Sequence, residues 1–329
     1  MVCCYNSAIR MPETLRHLAR QQVPAEIPWE VVVVNNKSTD DTVAVAEAIW
    51  RECGSATAFV VVDQPIPGLS FAREKGIEAA QYEYLLYCDD DNWLAPDYVA
   101  TVFNLMKQDT AIGALGGKGF PHFEISPPLL ISLNPGPYAV GAQGTKSGYL
   151  PVSNTLYGAA TTYRRSALHQ LTLNGFSFQL TGRLGKSLAT GEDRELGYAL
   201  SLAGFSQYYS EDLMFVHFIQ GSRISKTYYY NLLRGNCYSF PVLHAYYSLI
   251  QEKFNSRPRK KAAFVWSFFL YQFLQFRKVL KMLFFSREAS LPFFFCLELW
   301  LTTSSFWLKK NKLYTSIIKQ TRSKNYYAN

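Results

Sequence analysis

Residues 84–98 read YLLYCDDDNWLAPDY: five apolar residues, three consecutive carboxylates, then a Pro-Asp turn into the next apolar stretch. A short apolar run between polar boundaries fits a buried strand, and acids at its carboxyl end stand where open α/β sheets bind ligands. Alternate residues of extended chain face the same way, so Asp89 and Asp91 can share one ligand while Asp90 faces elsewhere. A hard divalent cation, Mg2+ or Mn2+, takes carboxylate oxygens and shares itself with substrate phosphate. The plainer alternative is that the acids favour the positive N-terminus of a helix beginning near APDYVATVF. That interaction is worth about 0.3–1 kcal/mol per residue and does not require three acids in a row. Both readings stand at this point.

Outward from this stretch the chain alternates. VCCY, EVVVVN and ATAFVVVD are β-like runs; MPETLRHLARQQ, STDDTVAVAEAIWREC and SFAREKGIEAAQ have helical character, the second behind a Ser/Thr/Asp cap. Near-continuous apolar strands belong to sheets covered on both faces. The pattern predicts an α/β fold, a Rossmann-like, mostly parallel sheet with helices on both faces. The run beside Met1 is short, which predicts either a natural start upstream or an abbreviated edge of the sheet. No basic n-region or h-region marks a signal peptide. Residues 110–191 read as loop-rich, a binding insertion with LNPGPYAVGAQGTKSGYLP as its most irregular part. The helix GEDRELGYALSLAG and the strand-like DLMFVHFI follow, and the chain turns helical after 222.

Composition divides the chain. From 257 to 329 there are 14 Lys and Arg against 2 Asp and Glu, a net of +12, whereas residues 1–256 carry −4. Such a tail faces nucleic acid or an anionic membrane. Its basic residues interleave with the apolar segments 262–276 and 289–308, which phosphate binding would not use, so no nucleic acid is expected. A span needs about 20 apolar residues; the first segment is short and the second holds Pro292 and Glu298. The expectation is helices lying in the interface at the cytoplasmic face of a membrane, with a spanning hairpin as the alternative. Six cysteines show no zinc or CxxC spacing, and the adjacent pair Cys3–Cys4, in a short apolar segment, reads as reduced, buried thiols.

The segments after each strand supply the candidate site. Asn35 or Asn36 can pair with a nucleobase edge; alternatively Ser38, Thr39 and Asp40 simply cap a helix. Arg73, after a Pro-Gly turn, can hold a diphosphate or lie exposed. Glu192 and Asp193 either cap a helix or place a general base over an acceptor hydroxyl. His217 is a core residue or a metal ligand.

Taken in order, CCYNSAIRMPETLRHLARQQ, VVVVNNKSTDDT, GLSFAREKGI, YLLYCDDDNWLAPDY, YGAATTYRRSAL and GEDRELGYALSLAGF resemble the family 2 glycosyltransferases, on a GT-A fold, over about 1–220. The resemblance implies inverting transfer from a nucleotide-sugar donor, a UDP-sugar by preference, to a glycan or lipid-linked acceptor. It places Asp89 and Asp91 at the DXD positions, with Asp91 the direct ligand of Mg2+ or Mn2+ and His217 as a further ligand. Asp193 becomes the general base, with Glu192 beside it. Asn6, Asn35, Asn36, Ser38, Asp40, Arg73, Asp89 and Asp90 fall on the donor side, and Tyr157, Gly158, Arg223 and Tyr229 on the acceptor side. It further implies a catalytic domain at 1–221 and a helical, membrane-associated region at 222–329. Two departures stand out: an Asn replaces the family's Asp after the second strand, and Ser7 and Ala8 stand where an acid often follows YN. No QxxRW motif is present, which favours single transfers in surface-polysaccharide or lipid-linked glycan synthesis. A noncatalytic sugar-nucleotide-binding protein and a metal-dependent nucleotidyltransferase are the rival readings; the second calls for a Gly-rich basic loop that YNSAIRMPET does not supply.

Overall fold

The computed structural model describes residues 1–180, 190–255, 273, 295–301 and 303. β1 (Val2–Cys4), α1 (Met11–Ala19), β2 (Glu30–Asn35), α2 (Thr42–Cys53), β3 (Ala58–Asp63), α3 (Leu69–Ala79) and β4 (Tyr84–Asp89) alternate as the apolar pattern predicts. Then come β5 (Asn92–Leu94), α4 (Tyr98–Gln108), β6 (Ile112–Phe123), α5 (Leu129–Leu133), β7 (Gly148–Tyr149) and β8 (Thr161–Arg164). α6 (Arg165–Leu173), α7 (Glu192–Leu202), β9 (Ser206–Ile219) and α8 (Lys226–Asn255) complete the order.

All the strands join one sheet, ordered β3-β2-β1-β4-β8-β6-β9-β5, with β7 on β9. It is mixed rather than mostly parallel. The first four strands and the β6–β9 pair are parallel, but β8 runs against both its neighbours, and β5 and β7 run against β9. The chain from β6 to β8 holds only the short α5, a 3-10 turn and β7, so no crossover helix returns it in parallel. β1 lies between β2 and β4 and is therefore interior, not an edge. A cavity of about 290 Å3 lined by Met1, Trp29, Val32, Tyr84 and Leu86 lies at the end of these strands away from the acids.

The span expected to be loop supplies β6, which the sequence conceals. IGALGGKGFPHF has four glycines and a proline, poor β-formers by propensity. They serve close approach: a Cβ on Gly117 would lie 1.9 Å from the Leu213 carbonyl oxygen of β9. The β6–β9 register shifts there, between Gly116 and Lys118.

Helices cover both faces, as near-continuous valine strands require. Val31 and Val33 share a buried cluster with Met11 and Leu15 of α1, Trp50 of α2 and Tyr98 of α4. Val32 and Val34 face the other way, with Ala72 of α3, Leu171 of α6, Leu196 of α7 and Leu249 of α8. Of the segments 262–276 and 289–308, only Phe273, 295–301 and Thr303 fall within the described residues. There Arg234 of α8 grips Glu298 through two contacts of 2.6 and 2.9 Å, and Tyr230 stacks on Phe295 at 4.2 Å. Glu298, counted from sequence as a charge within a candidate span, is paired. Among the described residues no helix is long and apolar enough to cross a membrane.

Two polar ties fix the loops around the acids. Arg10 Nη2 lies 2.6 Å from Asp90 Oδ2, the Ser7 hydroxyl donates to the same oxygen, and Thr14 Oγ1 donates to the Asp90 carbonyl at 2.9 Å. Fully buried Glu195 of α7 accepts the Gln179 and Leu180 N–H groups, each at 2.9 Å. Burial pushes the Glu195 carboxyl up to about 7.

Arg10→Met leaves Asp90 buried without its cation and should destabilise the fold by about 3–5 kcal/mol, the range for breaking a buried pair. Adding Asp90→Asn should recover much of that loss in urea titrations; no recovery would mean that the pair does not hold the loop. Glu195 binds its proton more tightly folded than unfolded. Its contribution to stability is therefore fully present below its ordinary value of 4.5 and falls as pH rises to about 7. The Tm difference between wild type and Glu195→Gln should change across that window, and a flat difference would overturn the assignment.

Candidate active site

The triplet sits at the carboxyl end of interior strand β4, and each acid has a different environment. Asp90 is committed to Arg10 and Ser7. Asp91 comes next to His217 because β5 pairs with β9 at Asn92↔His217; His217 Nε2 lies 3.4 Å from Asp91 Oδ1. Arg223, from the 3-10 turn Gly221–Arg223, places Nη1 2.9 Å from Oδ2, and Asn92 Nδ2 donates to Oδ1 at 3.3 Å. Burial alone would raise Asp91, but His217, Arg223 and Arg10 reverse this and hold it below the usual carboxylate range. Asp89 is the reverse case: burial, then the charge of Asp91, push it up. Among the described residues none donates a hydrogen bond to its carboxylate.

These residues fit a divalent cation. His217 Nδ1 donates to the Tyr138 carbonyl at 2.6 Å, so Nε2 faces the Asp91 carboxylate with a lone pair unless a positive charge intervenes. A proton on the ring or a metal ion meets that need, and an imidazole with carboxylates suits Mn2+. A backbone carbonyl on the far nitrogen is the usual support for a ligating histidine. Among the described residues no three His, Cys, Asp or Glu side chains form a ready-made cage, so donor oxygens would have to complete the shell.

The base-side residues form a laced pair of loops. Asn6 donates its N–H to Ser38 Oγ at 3.1 Å and accepts the Thr39 N–H at 2.8 Å; Asp40 accepts the Ala8 N–H at 3.1 Å. The residue before α2, Asp41, makes no side-chain cap bond; Asp40 instead accepts the N–H of Thr42, the first residue of the helix, at 3.1 Å, while also tying the loops with Ser38. Asn36 is spent internally: its amide donates to the Gln64 and Ile66 carbonyls and accepts the Gly68 N–H. Asn35 donates to Asp63 Oδ1 at 2.8 Å. Asp63, missed from sequence, ends β3 in register with Asn35 and is exposed. The acid closing the run AFVVVD was the available signal.

The second acidic motif joins the first through Arg73. Its guanidinium is not exposed: Nη1 lies 3.4 Å from Glu192 Oε1, and it sits 5.2 Å over the Tyr87 ring. Burial opposes its charge, yet Glu192, Tyr87 and Asp89 raise it well above the ordinary arginine value. Glu192 is thus turned inward. Asp193 Oδ2 accepts the Gly158 N–H at 2.7 Å and Oδ1 accepts its own helix's Arg194 N–H at 2.8 Å. A Cβ on Gly158 would come within 3.2 Å of the Asp193 Cβ and 3.3 Å of Arg73 Nη2, so glycine permits this approach. The residues expected on the acceptor side have these partners. Tyr229 is buried, its hydroxyl donating to the Asn134 carbonyl at 2.9 Å. The Tyr157 hydroxyl accepts the Gly119 N–H and donates to the Gly141 carbonyl, bracing β6. Arg223 stands on the triplet itself.

A family model for "Glycosyl transferase family 2" matches residues 1–172. Putative glycosyltransferase EpsH of Bacillus subtilis is 32% identical over 110 residues, 33% of this chain and 30% of its own length. Poly-beta-1,6-N-acetyl-D-glucosamine synthase of Staphylococcus epidermidis is 26% identical over 171 residues, 51% of this chain and 39% of its own. The chain thus spans well under half the length of these relatives. Among solved structures, S. aureus TarS 1-349 in complex with UDP-GlcNAc superposes with a TM-score of 0.52 at 18% identity, covering 77% of this chain and 72% of that one. Mannosyltransferase PcManGT from Pyrobaculum calidifontis, in complex with GDP-Man and Mn2+, gives 0.55 at 17% identity over 98% and 82%. At such identities the likeness is one of fold, an α/β GT-A-like mixed sheet with helices. With the family model matching 1–172, more than half its length, the chain belongs to glycosyltransferase family 2.

Proposed function

We propose that the protein is an inverting glycosyltransferase that moves a sugar from a nucleoside-diphosphate donor to an acceptor hydroxyl, with UDP-sugars preferred. The observation that carries this reading is the placement of Arg73. It pairs with Glu192 at 3.4 Å while its charge acts on Asp89 of the triplet, and so links the two acidic motifs, about 100 residues apart in sequence. Asp193, aimed by the Gly158 N–H, takes the proton of the acceptor hydroxyl. The hydroxyl oxygen then bonds to the anomeric carbon on the face opposite the leaving group, and the bond from that carbon to the diphosphate breaks. Asp89, Asp91 and His217 would hold Mg2+ or Mn2+, which when bound neutralises charge on the departing diphosphate. Exposed Asp63, held by Asn35, would read the base edge, while Asn6, Ser38 and Asp40 would shape the loop around it.

A relative named as a poly-beta-1,6-N-acetyl-D-glucosamine synthase supports an acceptor that is a glycan or lipid-linked sugar. The basic, aromatic tail supports a peripheral place at the cytoplasmic face of a membrane, with the catalytic domain at 1–221 and the helical region beyond it.

Asp193→Asn should lower turnover by about 10²–10⁴-fold, the usual contribution of a general base, with donor affinity retained; an unchanged rate would move the base elsewhere. A thermal-shift screen of UDP-, GDP- and dTDP-sugars with and without Mn2+ tests the donor. UDP-sugars with Mn2+ should give the largest rise in Tm, and stabilisation by none would overturn the assignment.

A further inference from the structure

The triplet is supplied with more fixed cations than a metal-binding pair of acids needs. Arg10 neutralises Asp90, and Arg73 serves Glu192 and Asp89. Arg223 remains, directed at Asp91, the acid that His217 also faces. Its backbone is fixed: Tyr138 Oη donates to the Arg223 carbonyl at 2.8 Å, and the Gly221 N–H donates to Glu124 Oε2 at 2.6 Å. Its side chain is the less enclosed partner, 22% exposed against 4% for Asp91. The guanidinium holds Oδ2 while His217 faces Oδ1, and two cations on one carboxylate repel each other.

We propose that Arg223 is a tethered competitor of the divalent ion at Asp91, displaced by side-chain rotation when the ion binds. The inference rests on the metal-and-donor reading above. The displaced guanidinium stays at the mouth of the site on its short turn, where it would meet the diphosphate that accompanies the ion. Arg223 thus opposes binding of metal alone and favours metal and nucleotide together. That coupling makes it a positioning residue with a sign that simple phosphate binding would not give. A phosphate-binding arginine leaves metal affinity in the absence of nucleotide unchanged; a competitor weakens it.

The test is titration of Mn2+, free ion followed by electron paramagnetic resonance, with and without UDP or GDP. Arg223→Met should bind Mn2+ alone about tenfold more tightly than wild type, within the usual range of coupling between sites, and UDP should then add less to Mn2+ affinity than it does in wild type. Arg223→Lys, which keeps the charge, should stay near wild type. Thermal melting reports folding of each variant, and Arg223→Gln takes the place of the Met variant if that one melts early. Unchanged or weaker Mn2+ affinity in the charge-removing variant overturns the proposal while leaving the donor reading intact. No Mn2+ bound by wild type even with nucleotide overturns both.

Discussion

Three adjacent carboxylates at the end of a buried, interior strand are the constraint on which the rest of the site depends. Two unit charges 4 Å apart repel by about 4 kcal/mol at an effective dielectric of 20, so the triplet persists only if cations are brought to it. They come from four separate places: Arg10 before α1, Arg73 in α3, His217 in β9 and Arg223 after it. Each draws in a different part of the chain. The loop after β1, the first turns of α3, the β5–β9 pairing and the turn before α8 are all arranged around these acids.

That arrangement divides the labour among the acids. Asp90 faces away from Asp91's partners and fastens the β1–α1 loop, whose Asn6 is in turn laced to Ser38 and Thr39 beyond β2. Any displacement of the base loop is therefore felt at the triplet. Asp91 holds the most cationic position, and Asp89 alone offers its carboxylate without a described hydrogen-bond donor. The middle acid is thus a structural member of a functional motif.

The first half of the fold was legible because its signals are local. Valine runs of strand length, helical periodicity and a change of period at 30, 42 and 58 mark β2, α2 and β3 without tertiary information. β6 was illegible for the opposite reason: its glycines are there because Leu213 and Phe205 of other elements press on it, and propensity sees only flexibility. The site divides in the same way. Acids after a strand can be read, but nothing local says that Arg10 reaches Asp90, 80 positions away, or that Asn36 spends its amide on Gln64, Ile66 and Gly68. Arg73 was read either as a holder of the diphosphate or as an exposed arginine; the fold buries it against Glu192.

α8 joins this site to the basic end of the chain. It begins at Lys226, three residues beyond Arg223, and its Tyr230 and Arg234 hold Phe295 and Glu298. The aromatic stack and the cation–π contact of Arg234 over the Phe295 ring, 5.1 Å from its centroid, lie one and two turns into the helix. Glu298 is paired with Arg234 while its side chain stays 47% exposed, so its charge says little about what surrounds the apolar residues flanking it. The physical weight of that segment shifts from its hydropathy to its attachment. Residues 295–301 lie along the first turns of the helix that starts beside the acidic triplet.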